Sequence, residues 1–348
     1  MVKILHTSDI HLREYEDNSW KAFVHLIDLA NKEKVKFFVI SGDLFDEKVS
    51  FNKLYPELRP LLNNVEYDFI IIPGNHDEKV FNSDFFLGEK IKIIRKLNEP
   101  LEYENVRFFG YPFEKIGAEE IRNNLRKIKE LATKDNKVNI LLFHGELLNH
   151  SFSGSDFGEE ETNYMGVWLS AFENINLKYV LAGHFHTNFQ VYSLSPDGFF
   201  VYPGSPISIT RKEIGKRSVN LFELGKPPKQ HFINTFYYQK INLSINPEDK
   251  IKIKEEIEKI LKEIPKEAKV LLTITGYIEE KEEEFQREIK EIEYRFENLE
   301  IENKTRGIKH LTEDDLFKIF VEKLEKFPTK RKREIKTLFI RSILESEK

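Results

Sequence analysis

Short apolar runs alternate with stretches of helical period from residue 1 to about residue 224. Each run is three to five residues long and is bounded by polar or glycine-containing segments. Strands that alternate with helix-length segments are typical of a layered α/β domain. The predicted strands are Lys3–His6, Phe37–Ile40, Phe69–Ile72, Val106–Gly110, Ile140–Phe143 and Tyr179–Leu181.

An amphipathic helix is predicted between the first two strands, from about Ser19 to Lys34. Its apolar positions recur at i, i+3, i+4 and i+7 and form one face that packs on a sheet. They are Phe23, Leu26, Ile27 and Ala30. Asn18 or Ser19 is the predicted N-cap, because a short polar side chain accepts a hydrogen bond from a free helical amide.

The pattern changes after residue 187, where short strands follow one another without helices between them. They predict a second, hairpin-rich sheet. A break at Gly225-Lys226-Pro227-Pro228 is the first candidate domain boundary, since Pro removes a donor and interrupts periodicity. We predict a main domain at residues 1–235, a small α/β domain at 236–305 and a helical segment at 306–348.

The composition limits the chemistry that the chain can perform. Its 348 residues include no Cys, which excludes disulfides, thiolate nucleophiles and Cys-ligated metals. Any metal must therefore bind His, Asp, Glu or Asn. The net charge of −5 does not fit a uniformly basic nucleic-acid binder. With no apolar run of membrane-spanning length and no Cys, the chain is expected to be soluble and cytoplasmic.

Five short motifs of acidic, amide and imidazole side chains lie at the ends of apolar runs. Taken singly, each is compatible with a turn, a helix cap or a surface site. A joint role is favoured because five of the ten His residues fall in these motifs, all at strand ends. The motifs are Asp9-Ile10-His11, Gly42-Asp43-Leu44-Phe45-Asp46, Gly74-Asn75-His76-Asp77, His144-Gly145-Glu146 and Gly183-His184-Phe185-His186.

The shared position of the motifs predicts one metal centre. Parallel strands joined by right-handed crossovers place their carboxyl ends along one edge, where we expect the motifs to converge. They offer oxygen and imidazole ligands for two divalent cations. Two ions about 3.5 to 4 Å apart, bridged by a carboxylate, suit phosphate-ester hydrolysis. Gly42, Gly74 and Gly183 are expected to provide the freedom to turn that these loops need.

The motif order D-x-H, G-D-x-x-D, G-N-H-D, H and G-H-x-H resembles that of the calcineurin-like metallophosphoesterases. Within that superfamily, residues 4–12, 42–46 and 202–206 resemble the SbcD branch, the nuclease subunits of SbcCD DNA-repair complexes and their archaeal and eukaryotic counterparts. The resemblance covers residues 1 to about 224. It implies a two-sheet α/β/β/α sandwich with a small α/β cap and a C-terminal helical segment.

The resemblance also implies roles for the motif residues. One metal would be held by Asp9, His11, Asp43 and His186, and the other by Asp43, Asn75, His144 and His184. His76 would be the proton donor or transition-state stabiliser, while Asp46 and Asp77 would orient ligands. Several archaeal relatives have His at the position of Asp46, which leaves the direction of exonuclease cleavage open.

Two further segments allow alternative interpretations. Pro203-Gly204-Ser205 is either a phosphate contact through backbone amides or a tight turn. Residues 323–341 carry eight bases and two acids interleaved with apolar side chains. In SbcD-like proteins a terminal helical element docks on a coiled-coil ATPase, and residues 312–348 resemble it in layout. Direct phosphate contact and intramolecular packing are the competing interpretations of this segment.

The resemblance implies a Mn-dependent nuclease, with Mg or Fe as alternative ions, that acts on DNA ends and hairpins as a homodimer with an ATPase partner of the SbcC type. A phosphodiesterase or phosphatase for small nucleotides would use the same metals. The roughly 120 residues beyond residue 224 favour a macromolecular substrate or partner. A metal-free scaffold on this fold is disfavoured because a scaffold has no use for seven ligand residues and His76.

Overall fold

In the computed structural model of the chain, the described residues are 2–81, 86–148, 165–245, 253–278, 282–308, 311 and 314–346. The chain divides into two compact units, Met1–Tyr237 and Tyr238–Lys348. Each unit has hydrophobic clusters of its own. None of the helices in the described ranges combines the length and the apolar character that a membrane span needs.

The first unit contains twelve strands and four α-helices among its described residues. The strands are β1 (Lys3–Thr7), β2 (Phe37–Ser41), β3 (Asp68–Ile72), β4 (Ile91–Ile93), β5 (Leu101–Glu102), β6 (Val106–Tyr111), β7 (Val138–His144), β8 (Tyr179–Gly183), β9 (Gln190–Leu194), β10 (Gly198–Tyr202), β11 (Ser218–Glu223) and β12 (Gln230–Phe232). The helices are α1 (Asn18–Glu33), α2 (Phe51–Asn63), α3 (Glu78–Phe81) and α4 (Ala118–Leu131).

These strands form two six-stranded sheets, in the orders β12-β11-β1-β2-β3-β4 and β5-β6-β7-β8-β10-β9. Neighbouring strands from β1 to β4 are parallel. Strands β6, β7, β8 and β10 are also parallel to their neighbours in that series. Each sheet therefore has a set of carboxyl ends along one edge, as the motif positions require.

Both sheets are covered on both faces, which explains why their central strands read as continuous apolar runs. On β2, Phe38 and Ile40 pack in the cluster that contains the apolar face of α1. The alternate residue Val39 packs between the sheets against residues of the other sheet such as Ile140. A third cluster joins the second sheet to α4. The predicted α/β/β/α sandwich is thus confirmed.

A second sheet is present, but the strands after residue 187 do not form it by themselves, as their pattern predicted. Strand β10 pairs with β8 and with β9, so these two late strands extend the second sheet. Strand β11 pairs antiparallel with β1 and adds β12 to the first sheet. The physical reason is that β1 and β8 would otherwise present unpaired edges, which the late strands satisfy.

The second unit has a three-stranded sheet in the order β13-β14-β15, with strands β13 (Tyr237–Ile245), β14 (Ala268–Ile278) and β15 (Leu299–Gly307). Helices α5 (Ile253–Glu263) and α6 (Glu282–Arg295) share one hydrophobic cluster with this sheet. Two further helices, α7 (Asp315–Leu324) and α8 (Thr329–Ser346), contribute to a smaller cluster. The separation of residues 236–305 from 306–348 remains a prediction.

Candidate metal centre

The predicted ligands lie at or just beyond the carboxyl ends of five strands from both sheets. Asp9 and His11 follow β1, Asp43 follows β2, and Asn75 and His76 follow β3. His144 is the last residue of β7, and His184 and His186 follow β8. The side chains converge in two overlapping groups, and within each group the ligand atoms lie within 4.8 Å of one another. One group is Asp9, His11 and His186, and the other is Asp9, Asp43 and His144.

The backbone is strained where it turns these side chains inward. Asp9, His11, Asp43 and His184 all have positive φ angles, of 53°, 51°, 51° and 94°, in a region that residues with a side chain rarely adopt. Two amides of the first motif, those of Ile10 and His11, donate to the carbonyl oxygen of Asp43 at 2.8 and 3.0 Å. The first two motifs therefore hold each other in these conformations.

One side of the centre is formed by Asp9, His11 and His186. The Nε2 atoms of the two His residues face each other at 3.4 Å. The Nε2 atom of His186 also lies 3.7 Å from Asp9 Oδ1. Metal–ligand bonds of about 2.0 to 2.2 Å bring neighbouring ligand atoms to about this spacing. The set fits one divalent ion.

The opposite side is formed by Asn75, His144 and His184. His144 Nε2 lies 2.9 Å from Asn75 Oδ1, and its Nδ1 lies 2.8 Å from the carbonyl oxygen of Ser41. The carbonyl oxygen can only accept a hydrogen bond, so Nδ1 is the donor and Nε2 is left with the lone pair that a metal needs. The rings of His144 and His184 meet edge to face at 5.3 Å between centroids.

Asp43 joins the two sides. Its Oδ2 atom lies 3.8 Å from His11 Nε2 and 3.5 Å from His144 Nε2. This oxygen is buried and accepts no hydrogen bond from the described part of the chain, whereas Oδ1 accepts one from the His76 amide at 2.9 Å. A buried carboxylate oxygen without a donor is costly, and a cation on each side would satisfy it.

The electrostatic field of the centre favours cations. Burial opposes a charge on His144, but the nearby Asp43 and Asp9 outweigh it and raise the pKa of His144 to about 9. Burial likewise opposes a charge on Asp43, yet the rings of His144, His11 and His76 lower the pKa of this carboxyl. A site that binds a proton this strongly also attracts metal ions, which replace that proton on binding.

Asp77 and Asp46, for which an orienting role is predicted, contact residues of the other motifs. The carboxylate of Asp77 accepts hydrogen bonds from the amides of Phe45 at 2.7 Å and Gly74 at 3.1 Å, so it ties two motifs together. Burial and the charge of Asp43 raise the pKa of Asp77 to about 7. Asp46 Oδ2 lies 3.6 Å from His11 Nδ1 and pairs with Arg13 at 2.7 Å.

The three motif glycines serve two different purposes. Gly42 has a φ of +93° and provides the turn that was expected of all three. Gly74 and Gly183 lie outside the left-handed region and instead permit close approach. A Cβ on Gly74 would lie 2.1 Å from Asp43 Oδ1, and one on Gly183 would lie 2.0 Å from the carbonyl oxygen of Ser41.

The Pro203-Gly204-Ser205 segment hydrogen-bonds to the backbone of two predicted ligands. The Ser205 amide donates to the carbonyl oxygen of His186 at 3.1 Å, and the Ser205 hydroxyl donates to the carbonyl oxygen of Asp9 at 2.9 Å. The buried guanidinium of Arg217 donates to the carbonyl oxygens of His186 and Ser205. Of the two interpretations, the geometry favours the tight turn, with Gly204 at a φ of +75°. Arg217 lies outside all five motifs, so no sequence pattern points to this role.

The chain matches a known protein family. The sequence profile of the calcineurin-like phosphoesterase family matches residues 2–188. The chain is 26% identical over 294 residues to the DNA double-strand break repair protein Mre11 of Sulfolobus acidocaldarius, covering 77% of this chain and 72% of that protein. It is 29% identical over 283 residues to the protein of the same name from Sulfurisphaera tokodaii, covering 74% and 68%.

A similar solved structure is that of TT1561 from Thermus thermophilus. The two chains align with a TM-score of 0.44 and 14% sequence identity, over 63% of this chain and 93% of that one.

Proposed function

The chain belongs to the calcineurin-like phosphoesterase family, and within that family we propose that it is a nuclease that hydrolyses DNA phosphodiester bonds in double-strand-break repair. Manganese is the proposed ion. The observation that carries the proposal is the position of Asp43 Oδ2, buried between His11 Nε2 at 3.8 Å and His144 Nε2 at 3.5 Å. A carboxylate in this position is suited to bridge two cations.

The proposed ligands divide into two sets that share Asp43. One set is Asp9, His11, Asp43 and His186, and the other is Asp43, Asn75, His144 and His184. When bound, two divalent ions would lower the pKa of the attacking water and neutralise charge on the phosphoryl oxygens. The chain itself holds these side chains in place through the amide hydrogen bonds to Asp43, Asp77 and the Asp9 carboxylate.

His76 is the proposed proton donor to the leaving oxygen. Its amide donates to Asp43 Oδ1 at 2.9 Å, so its backbone position is tied to the bridging carboxylate. Its ring lies edge to face with that of His11, at 5.0 Å between centroids. The residue is only partly buried, unlike His11 and Asp43. A partly open imidazole beside the centre can reach a substrate and act as a general acid.

DNA is the proposed substrate because the similarity to the Mre11 proteins extends beyond the family match. The alignment with the Sulfolobus acidocaldarius protein covers 77% of this chain, whereas the family profile ends at residue 188. Double-strand-break repair stands in the names of both relatives. A cytoplasmic site of action is also proposed, and the absence of Cys supports it.

The C-terminal helices are proposed to dock on an SbcC-type coiled-coil ATPase, with the nuclease acting as a homodimer. Leu316 and Ile319 on α7 are 64% and 50% exposed, and Leu338 on α8 is 64% exposed. Phe327, between the helices, is 50% exposed. Four exposed apolar side chains on and between two neighbouring helices would be buried if an amphipathic helix of a partner packed on them.

The function is tested by comparing substrates and metals in one assay. The protein is incubated with end-labelled duplex DNA, a DNA hairpin, bis(p-nitrophenyl) phosphate and a cyclic dinucleotide, each with Mn²⁺, Mg²⁺ or chelator. We expect Mn²⁺-dependent cleavage of DNA that chelator and Asp43→Asn both abolish. Asp68→Asn, at the opposite end of β3 from the centre, is the control and should cleave normally.

Two outcomes contradict the proposal. Rapid hydrolysis of the cyclic dinucleotide beside intact DNA would identify a small-nucleotide phosphodiesterase. If Asp43→Asn cleaved DNA as fast as the wild type, a shared carboxylate at Asp43 would not be needed for hydrolysis.

A further inference from the structure

Glu213 is a buried carboxylate next to the metal centre that none of the five motifs contains. Its neighbours in the sequence, Arg211 and Lys212, are typical of a solvated turn. Its side chain nevertheless has no exposed surface, and its Oε1 atom lies 3.5 Å from His186 Nδ1. An ionisable group is rarely buried completely unless a specific contact requires it.

The remaining contacts of Glu213 fix the direction of its carboxylate. Oε2 accepts a hydrogen bond from the Ile209 amide at 2.9 Å. Oε1 accepts from the Thr210 amide at 3.0 Å and lies 3.1 Å from the Thr210 hydroxyl. The carboxylate is thereby held against the ring nitrogen of His186 that faces away from the centre.

His186 points its other nitrogen into the centre. Nε2 lies 3.7 Å from Asp9 Oδ1 and 3.4 Å from His11 Nε2. A neutral imidazole has one N–H and one lone pair, and the partner of the N–H decides which nitrogen is free to bind metal. The same arrangement occurs at His11, whose Nδ1 lies 3.6 Å from Asp46 Oδ2.

We propose that Glu213 is the positioning residue of His186, holding the proton on Nδ1 so that Nε2 binds the ion shared with Asp9 and His11. The inference rests on metal ligation by His186 and does not depend on the substrate. The proposal also gives a chemical difference between the two ion sites. Carboxylates face the Nδ1 atoms of His11 and His186 on one side, whereas a backbone carbonyl faces that of His144 on the other.

The test is a Mn²⁺ titration of the metal-free full-length protein, with free Mn²⁺ followed by electron paramagnetic resonance. Wild type should bind two equivalents. Glu213→Gln removes the charge at nearly constant volume and should weaken one equivalent by about 10- to 100-fold and leave the other unchanged. Glu213→Asp retains the charge and should recover part of the affinity. Glu33→Gln, which breaks the ion pair with Lys3 at 2.7 Å, is the control.

A second measurement separates positioning from loop stabilisation. In ¹⁵N-histidine-labelled protein, the His186 ring of the wild type should carry its proton on Nδ1, and Glu213→Gln should shift the proton toward Nε2. The inference is overturned if Glu213→Gln binds both equivalents as wild type does. It is also overturned if the Gln and Asp variants lose metal and thermal stability equally, because Glu213 would then only hold its loop.

The result is independent of the proposed nuclease activity. Two bound Mn²⁺ ions in a protein that leaves DNA intact would contradict the proposed function alone. Normal DNA cleavage together with unchanged Mn²⁺ binding in Glu213→Gln would contradict this inference alone.

Discussion

At the scale of single residues, the centre is built from conformations that are unfavourable in isolation. Four of the predicted ligands have positive φ, each at a cost of about 1 to 3 kcal/mol. The strain persists because neighbouring loops hydrogen-bond to one another, as the Ile10 and His11 amides do with Asp43. Small changes in the supporting residues should therefore disturb metal binding.

Gly74→Ala is predicted to displace the Asp43 carboxylate. The new Cβ would lie 2.1 Å from Asp43 Oδ1 and 2.6 Å from the Asp43 amide nitrogen. We expect loss of Mn²⁺ binding by calorimetry and a stability loss of about 1 to 3 kcal/mol in urea. Gly117→Ala is the control, since nothing lies within 4 Å of its Cβ. Unchanged Mn²⁺ affinity in Gly74→Ala would contradict the prediction.

His76→Ala is predicted to slow hydrolysis without removing metal. Loss of a general acid reduces the rate by about 10² to 10⁴, while Mn²⁺ content should equal that of wild type. Metal content has to be measured as well, because the ligand atoms of His76, His11 and Asp43 lie within 4.8 Å of one another and could hold one ion. A parallel loss of Mn²⁺ would make His76 a ligand. His25→Ala, a half-buried residue of α1, is the control.

At the scale of elements, helix α1 shows what a sequence pattern determines and what it leaves open. The predicted face of Phe23, Leu26, Ile27 and Ala30 is buried in one cluster. The predicted N-cap, Asn18 or Ser19, is wrong. Asp17 is the cap, and its carboxylate accepts from the Trp20 amide at 2.8 Å. Asp, Asn and Ser stand in succession there, and all three are favourable caps.

Asp17→Ala should lower the free energy of unfolding by about 1 kcal/mol, the usual contribution of an N-cap. Asn18→Ala should have little effect, because Asn18 is not the cap residue of α1. Urea unfolding of the two variants measures the difference. Equal losses would contradict the assignment of Asp17.

Leu338→Glu tests the proposed docking of helices α7 and α8 on an ATPase partner. Leu338 is 64% exposed, whereas Ile340 on the same helix is 1% exposed, so the charge at 338 should spare folding. We expect pulldown of an SbcC-type coiled-coil segment to fail while DNA cleavage continues. Tyr294→Glu replaces a 93% exposed aromatic on α6 and is the matched control. Normal partner binding by Leu338→Glu would exclude this surface.

At the scale of the whole molecule, the chain has two units with separate cores. Ile257, Ile274 and Ile289 belong to a cluster confined to the second unit, whereas the proposed ligands all lie in the first. Since each unit buries apolar surface of its own, each can unfold on its own.

Calorimetric unfolding is therefore predicted to show two transitions. Mn²⁺ should raise the midpoint temperature of only one of them, that of the first unit. A ligand at 100 times its dissociation constant stabilises the state that binds it by about 2.7 kcal/mol. Chelator should remove the shift, and Asp43→Asn should not show it. A single transition that moves as a whole with Mn²⁺ would contradict the prediction.

The sequence by itself determined the parallel strands and which side chains lie at their carboxyl ends. Strands such as β2 are buried on both faces, so their apolar runs are visible without a structure. The motif residues are visible because metal binding demands particular side chains at strand ends. Tertiary structure alone decided which sheet β10 and β11 join, that Asp17 caps α1, and that Glu213 faces His186. These features depend on hydrogen-bond partners distant in sequence or on a choice among equivalent residues, and neither leaves a periodic signal in the chain.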